Sequence, residues 1–167
     1  MVHADTINQL EQAVKAGRAS AEDKLLLSKN WIIARDFSQA LQLLDGISLS
    51  NGQQEAVRQI LRGLCLERML RISEANAAYE NALQAVPDYS AALLRLGVLA
   101  YRMGDVARAR QLIGRLIAAG FGSPEAYYYL YLTEPVAAER AQALIQLLAL
   151  DGPNGPWAAL ALQHKVP

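Results

Sequence analysis

The sequence predicts an all-α fold made of antiparallel helix pairs, on three observations. Apolar residues recur at helical spacing almost throughout, and β-branched runs are nearly absent, Trp31-Ile32-Ile33 being the strongest and itself inside a helical pattern. Ala, Leu, Gln, Arg and Glu, all good helix formers, dominate. The third is an internal duplication. Sliding Gly63–Pro87 forward by 34 residues lays Gly63 on Gly97, Met69 on Met103, Ala75 on Ala109, Tyr79 on Ile113, Ala82 on Leu116 and Leu83 on Ile117. A period of that length in a helical pattern marks a stack of helix pairs.

The elements follow from their punctuation. Asp5 or Thr6 can cap a first helix through Ala16, with Ile7, Leu10 and Val14 on one stripe and Gly17 ending it. Ser20, followed by Glu22 and Asp23, caps a second that carries Leu25, Leu26, Leu27, Trp31 and Ile32 and stops near Arg35-Asp36. A third helix runs from Phe37 to Leu44. After the polar turn Ser48–Gly52, a fourth spans Gln53 to Leu70. Ser73 and Glu74 open the fifth, which ends before Pro87. Asp88 or Ser90 caps the sixth, and Gly104 ends it. Asp105 caps the seventh, which ends at Gly120. Ser123 with Pro124 and Glu125 is the cleanest start signal, ahead of a short eighth helix from Tyr127 to Thr133. The ninth spans Val136 to Leu150, and a last short helix runs from Trp157 to Gln163. No linker or low-complexity segment interrupts the order, so residues 1–167 read as one domain.

Composition excludes several classes. At 53% hydrophobic the chain has enough apolar material for a packed core, which argues against disorder. Its formal net charge is zero, so its overall field draws neither nucleic acid nor membrane; the nine arginines against six acids in residues 55–115 are a mild excess. The N-terminal residues lack a basic region followed by an apolar run, and no apolar run approaches the roughly 18 residues of a membrane span. With a single cysteine, Cys65, the expectation is a cytoplasmic protein without membrane insertion.

No catalytic constellation can be assembled, and no enzyme is expected. His3 and His164 lie near the chain ends without a second ligand at helical spacing, so neither metal nor other cofactor is implied. Cys65, between Leu64 and Leu66, reads as a small buried hydrophobe. No phosphate-binding glycine loop or nucleophile elbow is present. The least ordinary local feature is Tyr127-Tyr128-Tyr129 with Tyr131. Successive residues on a helix turn by about 100°, so the four rings cannot share one face; one or two pack, and at least one is expected to meet solvent or a ligand. Binding and packing both remain open for Tyr128.

The pairing and spacing resemble the tetratricopeptide repeat (TPR) family. Residues 56–89 carry that pattern best, with Gly63, Ala75, Tyr79, Ala82 and Pro87 in place. Residues 90–123 give Leu93, Leu96, Gly97, Gly104, Asp105 and Ala109, with Leu116 and Phe121 where Ala and Pro are usual. Residues 21–55 give Leu27, Ser28, Trp31, Phe37, Ala40 and Leu44 with one extra residue. Residues 124–155 give Tyr127, Ala141, Ile145 and Pro153, read as two residues short in the first helix, with Tyr131 where a small residue is usual. Residues 5–16 put Leu10 and Ala13 at the second-helix positions of a preceding unit and look like a half-repeat cap; residues 156–167 look like the other. The implied architecture is an α-solenoid of about four units.

The resemblance implies a concave groove lined by the first helices of successive units, in which a partner peptide lies. The corresponding positions are Leu25, Lys29 and Ile33; Ile60, Leu64 and Arg68, with Glu67 beside it; Leu94, Val98, Tyr101 and Arg102; and Tyr128. Several of the aliphatics read equally as core. The groove is mainly apolar, and the Lys and Asn pattern that clamps a C-terminal carboxylate in some TPR domains is not visible. The expected function is a non-catalytic adaptor or chaperone for a protein or peptide, similar to small bacterial TPR proteins such as the chaperones of type III secretion translocators. The alternative is a structural subunit of a homo-oligomer or larger assembly, for example in a secretion system or envelope complex.

Overall fold

The structure, a computed structural model, describes residues 4–49 and 51–164; His3 lies outside them. Among the described residues there are ten helices and no strand. They are α1 Ala4–Lys15, α2 Ala21–Ile33, α3 Phe37–Asp45, α4 Gly52–Arg68, α5 Ile72–Ala85, α6 Ser90–Arg102, α7 Val106–Ala118, α8 Pro124–Thr133, α9 Ala137–Asp151 and α10 Pro156–Gln163. The chain divides into two compact units, Met1–Pro87 and Asp88–Pro167. In the first, α2 pairs with α3 and α4 with α5, α2 also packs on α4, and α1 lies on α2. In the second, α6 pairs with α7 and α8 with α9, α6 packs on α8, and α10 lies on α8 and α9.

The expected caps divide by sequence type. Ser20 forms a reciprocal capping box with Asp23, and Asp105 and Ser123 accept from Arg108 N and Ala126 N. Three expectations are corrected. Helix α1 begins at Ala4, so Asp5 and Thr6 lie inside it rather than capping it. Ser73 is likewise inside α5, whose N-cap is Arg71 with no side-chain bond. The N-cap of α6 is Tyr89, again with no side-chain bond; Ser90 is already helical, and Asp88, at φ 60°, pairs instead with Arg115.

The turns inside the pairs repeat one device. After α2, α4 and α6 comes a residue in the left-handed region, Arg35 (φ 69°), Leu70 (φ 62°) and Gly104 (φ 84°). The next N–H then reaches back to close the helix: Asp36 to Trp31 O at 2.8 Å, Arg71 to Leu66 O at 2.8 Å, Asp105 to Ala100 O at 2.9 Å. Only Gly104 adopts this conformation without a Cβ penalty.

The duplication has a packing cause. Tyr79 and Ile113, both 0% exposed, lie against the backbone of the preceding helix at Gly63 and Gly97. A Cβ at Gly63 would overlap the Tyr79 ring; one at Gly97 would stand 2.6 Å from Ile113 Cδ1. The same period continues into α9, and this corrects the alignment of the fourth repeat. Ala143 and Leu147, 34 residues beyond Ala109 and Ile113, are buried, while Ala141 is exposed and Ile145 is 56% exposed. No residues are missing within that pair. Pro135 stops α8 early because the residue before proline is held extended, here Glu134 at ψ 117°, and α9 starts correspondingly early. The shortening falls after α9. There Asp151 Oδ2 accepts from the N–H groups of Trp157 (2.8 Å) and Ala158 (2.9 Å), capping α10 from the end of the previous helix.

Candidate functional site

In each unit the first helices of its two pairs lie side by side, α2 with α4 and α6 with α8. The residues expected in a groove occupy stripes spaced by three or four residues along these helices. Burial sorts them. On α2, Leu25 is buried, Lys29 is exposed and Ile33 is 71% exposed. On α4, Ile60 is buried, Leu64 half-buried and Arg68 exposed. On α6, Leu94 is half-buried, Val98 buried, Tyr101 half-buried and Arg102 exposed. Leu25, Ile60 and Val98 therefore serve the core. What reaches solvent is concentrated toward the C-terminal ends of the first helices.

The four tyrosines divide into two buried and two half-buried rings. Tyr128 is 6% exposed; its ring lies 5.4 Å from Trp157 and 6.2 Å from the His164 ring, so α10 covers it. Tyr131 is buried too, its hydroxyl donating to the His164 carbonyl at 3.0 Å. The ring that joins the predicted stripe is Tyr129, half-buried and edge-on to Tyr101 at 5.5 Å across α6 and α8. Its hydroxyl pKa is raised, first by burial and then by Glu125 and Tyr128, against a lowering by Arg102. Tyr101 and Tyr129 thus form one aromatic edge, with Arg102 next to Tyr101 on α6 and Glu125 one turn before Tyr129 on α8. Tyr127 packs against the same cluster and, like Tyr129, is half-buried.

Two shallow depressions accompany the pairs. In the first unit one of about 270 Å³ is lined by Trp31 of α2 and by Gln39, Gln42 and Leu43 of α3. In the second, Leu94 opens onto one of about 220 Å³ shared with Ser90, Ala91, Leu116, Phe121 and Ser123. Phe121, 53% exposed, stands where a repeat usually ends in proline. In the first unit Glu67 Oε2 accepts from the Tyr79 hydroxyl at 3.1 Å, which ties that carboxylate to the helix crossing.

No group of three or more His, Cys, Asp or Glu converges as a metal site among the described residues. Cys65 is 0% exposed, and burial, aided by the Asp45 charge, pushes its thiol up to about 11. It is protonated at neutral pH and unsuited to nucleophilic attack. The buried Glu134 faces Arg110 at 3.6 Å and accepts from Val136 N–H, a role in the turn after α8.

The sequence pattern of the tetratricopeptide repeat family matches residues 71–131. The matched residues run from the start of α5 into α8 and carry tetratricopeptide repeats. Among solved structures, one of MamA aligns with TM-score 0.69 and 19% identity over 94% of this chain and 85% of its own. A second MamA structure gives 0.71 and 17% over 96% and 85%. TTC0263, a thermophilic TPR protein in Thermus thermophilus, gives 0.73 and 15% over 95% and 89%. At these identities the likeness is one of fold. No curated protein matches the sequence. No described helix of this chain is long and apolar enough to cross a membrane.

Proposed function

We propose that this TPR chain is a non-catalytic adaptor that binds a protein or peptide along the exposed edges of its first helices. The observation that carries the reading is the sorting by burial: Ile33 and Arg68 in the first unit, and Arg102 in the second, remain exposed in stripes whose Leu25, Ile60 and Val98 serve the core. Covering an exposed isoleucine is favourable, and Arg and Tyr are enriched at the centres of interfaces. The Tyr101–Tyr129 edge beside Arg102 suits a segment bearing an apolar side chain and a nearby acid. Solenoid repeats commonly use such first-helix surfaces for extended partners. The finer assignment to a chaperone or a cytoplasmic client rests on analogy with small TPR proteins alone.

The reading is tested by affinity purification of the tagged chain from its source cells, with mass spectrometry. A protein recovered with the wild type is expected to be lost with Tyr101→Ala, Arg102→Glu while circular dichroism is unchanged. Equal recovery with the doubly substituted chain refutes the face.

A further inference from the structure

Two asparagines of the chain precede glycine, Asn51 before Gly52 and Asn154 before Gly155. In such a pair no side chain shields the glycine nitrogen, which can attack the carboxamide carbon of the asparagine. What holds each carboxamide separates the two. Asn51 Oδ1 accepts from Gln53 N–H at 2.8 Å, as the N-cap of α4. Asn154 is exposed in the turn between α9 and α10, and its carboxamide bonds no described residue. The nitrogen beside it, Gly155 N, donates to Gly152 O at 3.2 Å, the long end of the ordinary range.

The surroundings make glycine obligatory after Asn154. Asp151 Oδ2 passes beside residue 155 to accept from the N–H groups of Trp157 and Ala158, and a Cβ at Gly155 would overlap that carboxyl. The cap of α10 thus requires the one neighbour that leaves asparagine most open to attack. The turn also has little slack. Gly152 stands at φ 74° and ψ 164°, a region essentially confined to glycine, and the rings of Pro153 and Pro156 fix φ on either side of the pair.

We propose that Asn154–Gly155 is a site of spontaneous deamidation and isoaspartate formation, and that the isoaspartate loosens α10. Gly155 N loses its proton to solvent base and forms a bond to Asn154 Cγ. The Cγ–Nδ2 bond breaks, and the carboxamide nitrogen takes up a proton and leaves as ammonia, giving a five-membered succinimide. Water then opens the ring at either carbonyl. Opening at the side-chain carbonyl gives aspartate. Opening at the main-chain carbonyl gives isoaspartate, whose backbone runs through the side-chain carbons and is one atom longer. A turn so constrained cannot absorb that atom, so Gly155 shifts from its place beside Asp151 and the bonds to Trp157 and Ala158 are lost. With its cap gone, α10 loosens over Tyr128, whose ring lies 5.4 Å from Trp157, and over Tyr131, which bonds the His164 carbonyl.

The test holds the folded full chain, wild type and Asn154→Gln, in mildly alkaline buffer and follows it by tryptic mapping, by enzymatic methylation of isoaspartate and by tryptophan emission. Cleavage after Arg140 and Lys165 isolates Asn154 as the single asparagine of its peptide, and cleavage after Arg35 and Arg58 does the same for Asn51. The wild type is expected to gain one mass unit on the 141–165 peptide, ahead of any gain on the 36–58 peptide, and to accept methyl groups there. The gain should quicken as pH rises, since the attacking nitrogen must lose its proton. Emission should shift to the red in step with the isoaspartate as Trp157 becomes wetter. Asn154→Gln, which would have to close a larger ring, should show none of these changes. A 141–165 peptide that keeps its mass while the urea-unfolded chain converts overturns the proposal. So does earlier conversion of Asn51, or isoaspartate at residue 154 with unmoved emission, since α10 would then not depend on the length of the turn.

Discussion

The helix crossings at Gly63 and Gly97 and the crossing at Tyr131 occupy one register and solve it in opposite ways. At the two glycines a bulky residue of the second helix, Tyr79 or Ile113, fills the space that a missing side chain leaves. In the fourth repeat the second helix still buries its bulky residue, Leu147, yet the first helix presents Tyr131. The ring is accommodated through α10: its hydroxyl bonds the His164 carbonyl, and Tyr128 and Tyr129 stack near Trp157. The regular crossings make a scaffold that needs nothing beyond the pair. The irregular one ties the pair to a further helix, and that helix covers the tyrosine the sequence offered to a ligand.

Breaking the irregular crossing should have the largest effect. Tyr131→Ala removes a buried ring and the bond to His164, and is expected to destabilise by about 4 kcal/mol in urea denaturation. It should also raise the exposure of Trp157, read as a red shift of its emission relative to the unchanged Trp31. Next comes Gly63→Ala, expected to cost about 2 kcal/mol because the added methyl displaces Tyr79, outweighing the helix propensity gained. The double variant Gly63→Ala, Tyr79→Leu should show a favourable coupling of about 1 kcal/mol; additivity would mean that the glycine and the ring do not share one space. The smallest effect sharpens the comparison of turns. Leu70→Gly relieves a left-handed leucine that is 81% exposed, and is expected to stabilise by about 0.5–1 kcal/mol, bringing this turn to the condition of Gly104. A loss of stability there would show that Leu70 is held by contacts rather than by the turn.

How far the sequence reaches follows from the range of each determinant. Ser20, Asp105 and Ser123 were legible because a cap bonds a backbone group three residues away. The cap of α10 was not, since Asp151 belongs to the preceding helix and acts across a turn. The crossing glycines were legible because Tyr79 and Ile113 recur at the same distance from them. Assigning the shortening to α8 puts Ala141 and Ile145 in the core. The chain is instead two residues shorter after α9, and Ala143 and Leu147 hold the core places. Tyr128 and Tyr129 are adjacent, and the sequence does not show which one α10 covers. The contact that marked Tyr129 was its partner Tyr101, already on the expected stripe. For Leu25, Ile60 and Val98, helical spacing defines the stripe, but burial along it depends on neighbouring helices.

The exposed edge of the first helices is the central claim, and site-specific photo-crosslinking tests it most directly. A photoreactive residue at Ile33, Arg68 or Arg102, and as a control at the exposed Gln111 of α7, would be carried by the chain in its source cells. The account predicts that each first-helix position captures a partner protein, Ile33 and Arg68 of the first unit the same one, and that Gln111 does not capture the protein taken by Arg102 of its own unit. Capture of that protein from Gln111 alone would contradict it.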